Sequence, residues 1–340
     1  MILAIDVGGT KLAAARVSPD GAIVAAERAA TPQDADAETL WQALCDLIGP
    51  LSARVEGVGV GCGGPMEWPA GVVSPLNIPG WRGFPLRDRL SARFPGLPVR
   101  VHNDAVCLAV AEHWRGAGRG VPDMLGMVVS TGVGGGLILG GRLVNGGTGN
   151  AGHIGHVVVE PDGGPACGCG GHGCLEAVAR GPALTTWALT HGWTPPRSPA
   201  GADGAEEGPG GGSGGAAGVS PAEAALSGGR EYREERAVTG RMLAADARAG
   251  DEVAVAAMRR AGRALGVAIA SATHLCDLEL VTIGGGLSQA GEPLFGPLEE
   301  ALREHARMGF ARRLRVAPAS LGQEAGLIGA AALILAADAY

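Results

Sequence analysis

The stretch of sequence that decides the fold is Ile2–Lys11, which reads ILAIDVGGTK. A short apolar strand ends at Asp6, and a glycine pair then turns the chain into a second apolar strand, Ala13–Val17. Glycines allow backbone amides to approach phosphate oxygens, Thr10 can donate to those oxygens, and Asp6 can hold Mg²⁺. The alternative interpretation is a β-hairpin whose glycines serve only the turn.

The same pattern, an apolar strand that ends in a glycine turn, recurs in the second half of the chain. The apolar strand Met124–Ser130 runs into the glycine turn Thr131–Gly136, and the strand Leu280–Ile283 ends at another run of glycines. Two phosphate-type turns, one in each half, suit a nucleotide held between two lobes, whereas a glycine-rich β-bulge is the alternative. Strands that alternate with helical patterns such as Ala37–Arg54 and Asp251–Leu275 predict an α/β architecture.

Composition narrows the class of protein. Apolar residues make up 46% of the 340 residues, which is enough for a sizeable core, and the net charge is −7. A nucleic-acid surface needs a basic patch, so we expect no nucleic-acid partner. Backbone amides can still hold an anionic substrate. The chain has no apolar run of membrane-spanning length and no signal-peptide pattern after Met1, so we expect a cytoplasmic protein without a membrane partner.

The composition changes sharply between residues 194 and 236. The run Gly208–Gly218 is almost wholly Gly, Ala, Ser and Pro. Such a segment buries too little apolar surface to offset the entropy of ordering it. We predict a disordered surface insertion without a catalytic role.

Two polar residues, Asn103 and Asp104, lie where the strand Val99–Val101 gives way to the helical pattern Ala105–Trp114. An aspartate at this place commonly caps the helix N-terminus. It can equally serve as a general base at a strand end that faces a cleft. The local sequence leaves both interpretations open.

The strongest local signal is His156 together with Cys167, Cys169 and Cys174. Three thiolates and one imidazole form a closed tetrahedral set, which is typical of structural zinc. Free or oxidised cysteines are the alternative. His172 lies inside the same loop and competes with His156 as the fourth ligand.

Taken together, these pieces resemble the ROK family (repressors, open reading frames and kinases) over nearly the whole chain apart from the insertion. The most specific match is the segment Ala151–His156, continued by Cys167–Glu176. Three glycine turns look like the family's nucleotide motifs. The first comprises Asp6, Gly8, Gly9, Thr10 and Lys11, the second Thr131 and Gly132, and the adenosine-side turn Gly284, Gly285 and Gly286.

The resemblance implies a two-lobed actin-like ATPase fold of the hexokinase type, which is ribonuclease H-like. It places the small lobe at 1–118 plus 325–340 and the large, zinc-bearing lobe at 119–324. It implies phosphorylation of a sugar 6-hydroxyl by ATP with Mg²⁺, and a homodimer. Asp104 would be the catalytic base, and zinc would be bound by His156 and the three cysteines. The sugar contacts would come from Asn77, Asn103, Asp104, His153, His156 and Glu176.

One position departs from the glucose-type pattern. Glucose-type members of the family carry glutamate where this chain has His153, and the string from Ala151 to His156 is similar to that of bacterial N-acetylmannosamine kinases. An imidazole in place of an acceptor-only carboxylate changes which sugar group at C2 is satisfied. The expected substrate is therefore N-acetylmannosamine or another N-acetylhexosamine, with glucose as the alternative.

A different class of function is also open. The ROK family contains sugar-responsive repressors, which carry a DNA-binding region before the first phosphate turn. Here that turn begins at Asp6, so a regulator would have to lack such a domain. A non-catalytic sugar-binding protein is the other alternative. The presence of every expected catalytic residue favours the kinase.

Overall fold

The computed structural model describes residues 1–195 and 238–340. The predicted insertion at 194–236 lies outside the described residues except for residues 194 and 195. The strands are β1 (Ile2–Val7), β2 (Lys11–Val17), β3 (Ile23–Ala30), β4 (Gly57–Cys62), β5 (Met66–Glu67), β6 (Val72–Val73), β7 (Val99–Asn103), β8 (Met124–Val129), β9 (Val133–Leu139), β10 (Arg142–Leu143), β11 (Leu280–Gly284) and β12 (Arg315–Pro318). The helices are α1 (Ala37–Ile48), α2 (Leu86–Arg93), α3 (Asp104–Arg115), α4 (Leu175–Ala179), α5 (Gly181–Thr190), α6 (Gly240–Ala249), α7 (Glu252–Cys276), α8 (Glu292–His305) and α9 (Ala325–Leu335).

Two five-stranded sheets organise the described residues, and both follow one pattern. The first has the order β3-β2-β1-β4-β7, in which β1 is antiparallel to β2 and parallel to β4. The second has the order β10-β9-β8-β11-β12, in which β8 is antiparallel to β9 and parallel to β11. Each sheet thus combines an antiparallel hairpin with parallel strands. This repetition is what a two-lobed, duplicated architecture requires.

Two helices fill the space between the sheets. Helix α9 packs on β1 and β4, helix α3 packs on β8 and β9, and the two helices pack against each other. Glycines allow these close contacts. A Cβ on Gly59 of β4 would collide with the backbone of Ala330 in α9, and a Cβ on Gly329 of α9 would collide with the backbone of Cys107 in α3. Backbones can approach this closely only where a Cβ is absent. The fold therefore holds the two sheets at a fixed, short separation.

Local sequence signals set the helix ends. Asp251 caps α7, since its side chain accepts a hydrogen bond from the amide of Ala254, as the sequence predicted. The prediction for the first helix, Ala37–Arg54, was too long. Helix α1 ends at Ile48, and a short 3₁₀ turn containing Pro50 follows, because proline has no amide hydrogen to continue the α-helical pattern. Within the described ranges, the helices all lack the combination of length and apolar character needed to cross a bilayer.

A buried carboxylate fixes the far end of α3. Glu112 is 0% exposed. Its oxygens accept hydrogen bonds from the amides of Ala117, Ser320 and Leu321 and from the Ser320 hydroxyl, at 2.8–3.1 Å. Such bonds offset the cost of burying the charge. Glu112 thereby ties α3 to the segment that precedes α9.

Replacing Glu112 with Gln should lower the free energy of unfolding by about 1–3 kcal/mol, because one buried acceptor becomes a donor that faces other donors. Urea denaturation followed by circular dichroism measures the change. Glu300→Ala, at an exposed position on α8, is the control and should leave the midpoint unchanged. A wild-type midpoint for Glu112→Gln would show that the four bonds contribute nothing net.

Candidate active site

The two aspartates singled out in the sequence lie in one cavity of about 480 Å³ between the sheets. Asp6 stands near the end of β1, and Asp104 is the first residue of α3. The glycine run after β11 (Gly284, Gly285 and Gly286) lines the same cavity, as do Ala325 and Gly326 from the first turn of α9. The described residues thus place two carboxylates, a glycine turn and the positive end of a helix around one space.

The structure shows which residue caps α3 and where Asp104 lies. The residue that caps α3 is Asn103, whose side-chain oxygen accepts from the amide of Ala105 at 2.9 Å. Asp104 Oδ1 also accepts from that amide, at 2.8 Å. Asp104 is one residue inside the helix and lines the cavity. Asn103 is therefore the N-cap residue, and the role of Asp104 as a base stays a prediction.

Burial shapes the electrostatics of both carboxyls. Burial, reinforced by the negative charge of Asp104 and opposed by the positive charge of Lys11, raises the pKa of Asp6 to about 7. Burial also raises the pKa of Asp104, against the effects of its backbone hydrogen bonds and of nearby His153. Two buried carboxyls, one of which raises the pKa of the other, are suited to share a cation. Carboxylate oxygens are the donors that Mg²⁺ prefers, so Asp6 fits that ion.

The turn after β1 is a tight hairpin, in which the Gly8 amide donates to the Lys11 carbonyl at 3.0 Å. A Cβ on Gly9 would lie 2.6 Å from that of Asn77, so the turn closes against this predicted sugar ligand. Lys11 is the only lysine among the 27 lysine and arginine residues of the chain. An ammonium is a compact point charge, whereas a guanidinium is a planar fork. The positive charge of Lys11 is close enough to Asp6 to lower its pKa.

Most of the other predicted nucleotide residues lie outside the cavity wall. The second glycine turn is shorter than predicted: β9 begins at Val133, and Thr131 and Gly132 are not part of the cavity wall. The same holds for Gly8, Gly9, Thr10 and Lys11, among which Thr10 and Lys11 are exposed. Of the predicted nucleotide ligands, Asp6 and the three glycines after β11 form the wall.

The cavity wall also contains polar residues that the sequence reasoning missed. These are Ser130, Arg241, Ser288, Gln289 and Gln323. Ser288 and Gln289 follow the glycine run after one intervening residue, Leu287, so the motif itself could have indicated them. Arg241 is on α6, where a Cβ on Gly286 would lie 2.9 Å from its Cγ. It is far from the glycine run in sequence, so only the folded chain reveals it.

Of the predicted sugar residues, Asn103 and His153 lie beside Asp104. His153 is close enough to influence the pKa of Asp104, and the rings of His153 and His156 lie nearly parallel with centroids 6.4 Å apart. Glu176, at the start of α4, accepts from the amide of Val133 at 2.9 Å with one oxygen, which leaves the other oxygen for a ligand. Asn103 donates to the carbonyl of Gly64 at 3.1 Å. The side chain of Asn103 is thus largely occupied by the fold.

The four sequence-predicted metal ligands form one cluster. The ligand atoms of His156, Cys167, Cys169 and Cys174 all lie within 4.8 Å of one another. His156 Nδ1 is 3.6 Å from Cys167 Sγ, and the sulfurs of Cys169 and Cys174 are 3.7 Å apart. A tetrahedral ion with Zn–S of about 2.3 Å and Zn–N of about 2.0 Å has edges of about 3.5–3.8 Å. The donor set fits zinc, and His172 is not part of it.

The cluster's acid–base properties point the same way. Burial, together with hydrogen bonds to Cys167 and Cys169, raises the pKa of the Cys174 thiol to about 12. Neighbouring thiolates repel one another, and a bound metal cation would offset that repulsion with its positive charge and keep its ligands deprotonated. A cation is therefore the natural counter-charge for three sulfurs in this space.

Comparison with known proteins adds to this geometry. The model of the ROK family matches residues 2–337. A glucokinase of Thermotoga maritima is 34% identical over 337 residues, which are 98% of this chain and 96% of that protein. An N-acetylmannosamine kinase of Shigella flexneri is 34% identical over 333 residues, covering 98% and 97% of the two chains.

A solved structure is similar over the same length. It is a ROK family glucokinase from Streptomyces griseus in complex with glucose and AMPPNP, with a TM-score of 0.75 and 34% identity. The match covers 98% of each chain. The likeness extends over both sheets and the helices between them.

Metal analysis of the purified protein should find about one zinc per chain, bound through three thiolates. Cys169→Ser should lose most of that zinc and lower Tm by about 5 °C or more, because a structural metal contributes directly to folding stability. Cys276→Ser, at a cysteine outside the cluster, is the matched control. Clean wild-type protein without zinc would contradict the assignment.

Proposed function

The chain belongs to the ROK family and is a sugar kinase, and we propose that it transfers the γ-phosphoryl group of ATP to the 6-hydroxyl of an N-acetylhexosamine, with N-acetylmannosamine as the preferred substrate. Membership confirms the resemblance inferred from the sequence and with it the two-lobed actin-like fold. The observation that carries the proposal is the cavity between the lobes, in which Asp6 and Asp104 face a glycine turn.

The identity of the sugar rests on His153. Its Nδ1 is 2.8 Å from the carbonyl oxygen of Asn150. A carbonyl can only accept, so Nδ1 carries the proton and Nε2 of the neutral ring has one lone pair. A glutamate at this place would offer two oxygens to the neighbouring C1 and C2 hydroxyls of glucose. One lone pair suits a sugar whose C2 hydroxyl is replaced by an acetamido group.

Glucose is the second candidate substrate, because the relatives and the similar solved structure include glucokinases. The relatives at 34% identity over nearly the full chain include a glucokinase as well as an N-acetylmannosamine kinase, and the similar solved structure is a glucokinase that binds glucose. These relatives do not separate the two sugars. The choice therefore depends on the single acceptor that His153 presents.

The proposed roles follow from position. The glycine run after β11 and Gln323 border the cavity. The adenosine would lie beside them. The γ-phosphate would then reach the hairpin turn after β1, with Lys11 and Thr10 as donors, and Thr131 and Gly132 on the opposite lobe. Mg²⁺, when bound at Asp6, offsets negative charge on the phosphate oxygens.

Asp104 is the group placed to act on the sugar. It accepts the proton of the 6-hydroxyl while that oxygen attacks the γ-phosphorus in line and the bond to the β-phosphate oxygen breaks. Its raised pKa makes it a better proton acceptor than an ordinary carboxylate once it is ionised. Closing of the lobes excludes water, which would otherwise compete with the sugar as the nucleophile.

The zinc cluster supports the sugar side of the site. His156 turns Nδ1 toward the cluster, so that its other nitrogen is directed away from the cysteines. Glu176 follows Cys174 by two residues and lies beside it at the start of α4. We propose that zinc holds this segment so that His156 and Glu176, with Asn77 and Asn103 across the cleft, contact sugar hydroxyls. The homodimer and the lobe boundaries expected from the resemblance stay predictions.

Asp104→Asn should lower kcat by a factor of about 10²–10⁴ and leave the Kd for the sugar within about threefold. Asparagine keeps the size and a hydrogen-bonding oxygen but cannot take the proton. Coupled ADP-release kinetics and calorimetry measure the two quantities. Asp88→Asn, at an exposed position on α2, is the control. Turnover near the wild-type rate would remove Asp104 from the role of base.

A panel of hexoses and N-acetylhexosamines should show the largest kcat/KM with N-acetylmannosamine. His153→Glu should then shift the ratio of kcat/KM toward glucose by about tenfold or more, because a carboxylate restores two acceptors. His191→Glu, at an exposed histidine that is not in the cavity wall, should leave the ratio unchanged. An unchanged ratio in His153→Glu would show that another residue selects the sugar.

A further inference from the structure

The two lobes also touch away from the nucleotide cavity, where the hairpin of β5 and β6 meets residues 144–153 of the opposite lobe. The side chain of Asn150 makes both contacts to the backbone of one hairpin residue. Its Oδ1 accepts from the Met66 amide at 3.4 Å, and its Nδ2 donates to the Met66 carbonyl at 3.0 Å. The amide side chain thus pairs with Met66 as a neighbouring strand would.

The surrounding contacts hold the same two segments together. The Trp68 amide donates to the Thr148 carbonyl at 3.4 Å. Gly149 lies directly against Trp68, so that a Cβ on this glycine would collide with the tryptophan side chain. Trp68 nevertheless remains 40% exposed. The hydrogen bonds between Asn150 and Met66, rather than burial of Trp68, therefore fix how the two segments align with each other.

The start of residues 144–153 is anchored to the first lobe as well. The amide of Asn103 donates to His102 Nδ1 at 2.8 Å, which requires the proton of the neutral ring on Nε2. That nitrogen lies 2.8 Å from Asn145 Oδ1 and donates to it. The buried ring of His102 therefore bridges the segment that carries Asp104 and the segment that carries His153.

Asn150 acts on His153 through its backbone. Its carbonyl accepts from His153 Nδ1 at 2.8 Å while its side chain is bonded to Met66. Movement of the hairpin therefore moves the group that fixes the histidine's tautomer. The hairpin is itself close to the catalytic helix, because Asn103 donates to the carbonyl of Gly64, two residues before Met66.

We propose that Asn150 is a positioning residue, which ties the sugar-side edges of the two lobes together and holds His153 with the Nε2 lone pair directed to the substrate. The proposal rests on the function proposed above. It states that the side chain of Asn150 links the contact between the lobes to the binding of the sugar. If Asn150 served only to pack the loop, its replacement would lower the stability of the protein. It would not raise KM for the sugar while leaving KM for ATP unchanged.

The kinetic test compares Asn150→Ala and Asn150→Asp with the control Glu67→Gln, an exposed neighbour of Met66 in the same hairpin. The acceptor is the sugar that the wild type phosphorylates fastest. Loss of the two bonds should raise KM for the sugar about tenfold and leave KM for ATP within about twofold. KM for the sugar should rise at least as much in Asn150→Asp as in Asn150→Ala. In the aspartate variant a carboxylate oxygen faces the Met66 carbonyl oxygen, and the two acceptors repel each other. A wild-type KM for the sugar in both variants would overturn the proposal.

A second readout follows the histidine itself. Nitrogen NMR of ¹⁵N-histidine-labelled protein, with His153→Gln used for assignment, should show the Nδ1-protonated tautomer in the wild type and a mixture in Asn150→Ala. An Nε2-protonated ring in the wild type would overturn the proposal. If the wild type phosphorylates no sugar in the panel, the proposed function fails. The tautomer measurement still decides the inference about Asn150 in that case.

Discussion

The close approach of backbones at Gly59 and Gly329 is the constraint on which the rest of the structure depends. It lets α3 and α9 pack on each other while each also packs on its own sheet. A side chain at either position would have to displace backbone atoms, and cores transmit such displacements because they are densely packed. Helix α3 begins with Asp104, and the first turn of α9 faces Asp6. The separation of the helices therefore fixes the separation of the two carboxyls.

The electrostatics of the site follow from that placement. Two carboxyls with raised pKa values occupy a cleft whose other charged neighbours are few, in a chain with a net charge of −7. Buried like charges are costly unless a cation or a proton compensates them. In the proposed function, Mg²⁺ held at Asp6 would supply positive charge where the fold has concentrated negative charge.

Much of this arrangement could be predicted from the sequence because its signals are local. The turn after Asp6, the capping of α7 by Asp251 and the clustering of His156 with three cysteines each depend on residues near one another in the chain. The early end of α1 was missed because the apolar periodicity continues past Pro50. Which of two adjacent polar residues caps α3 depends on side-chain orientation, which periodicity does not encode.

Other features depend on contacts between distant segments, and the sequence contains no direct signal for them. Arg241 reaches the cavity wall from α6, and Asn150 meets a residue 84 positions earlier in the chain. The acceptor character of His153 likewise comes from a hydrogen bond that only the folded loop provides.

A crystal structure would show whether one cleft brings the sugar hydroxyl to Asp104 and the phosphate to Asp6. The crystal should contain the sugar, Mg²⁺ and a non-hydrolysable ATP analogue. The proposed function predicts the 6-hydroxyl about 2.6–3.2 Å from the carboxylate of Asp104, with the metal at Asp6 and the terminal phosphate in line. A ternary complex in which Asp104 contacts neither the sugar nor the nucleotide would contradict it.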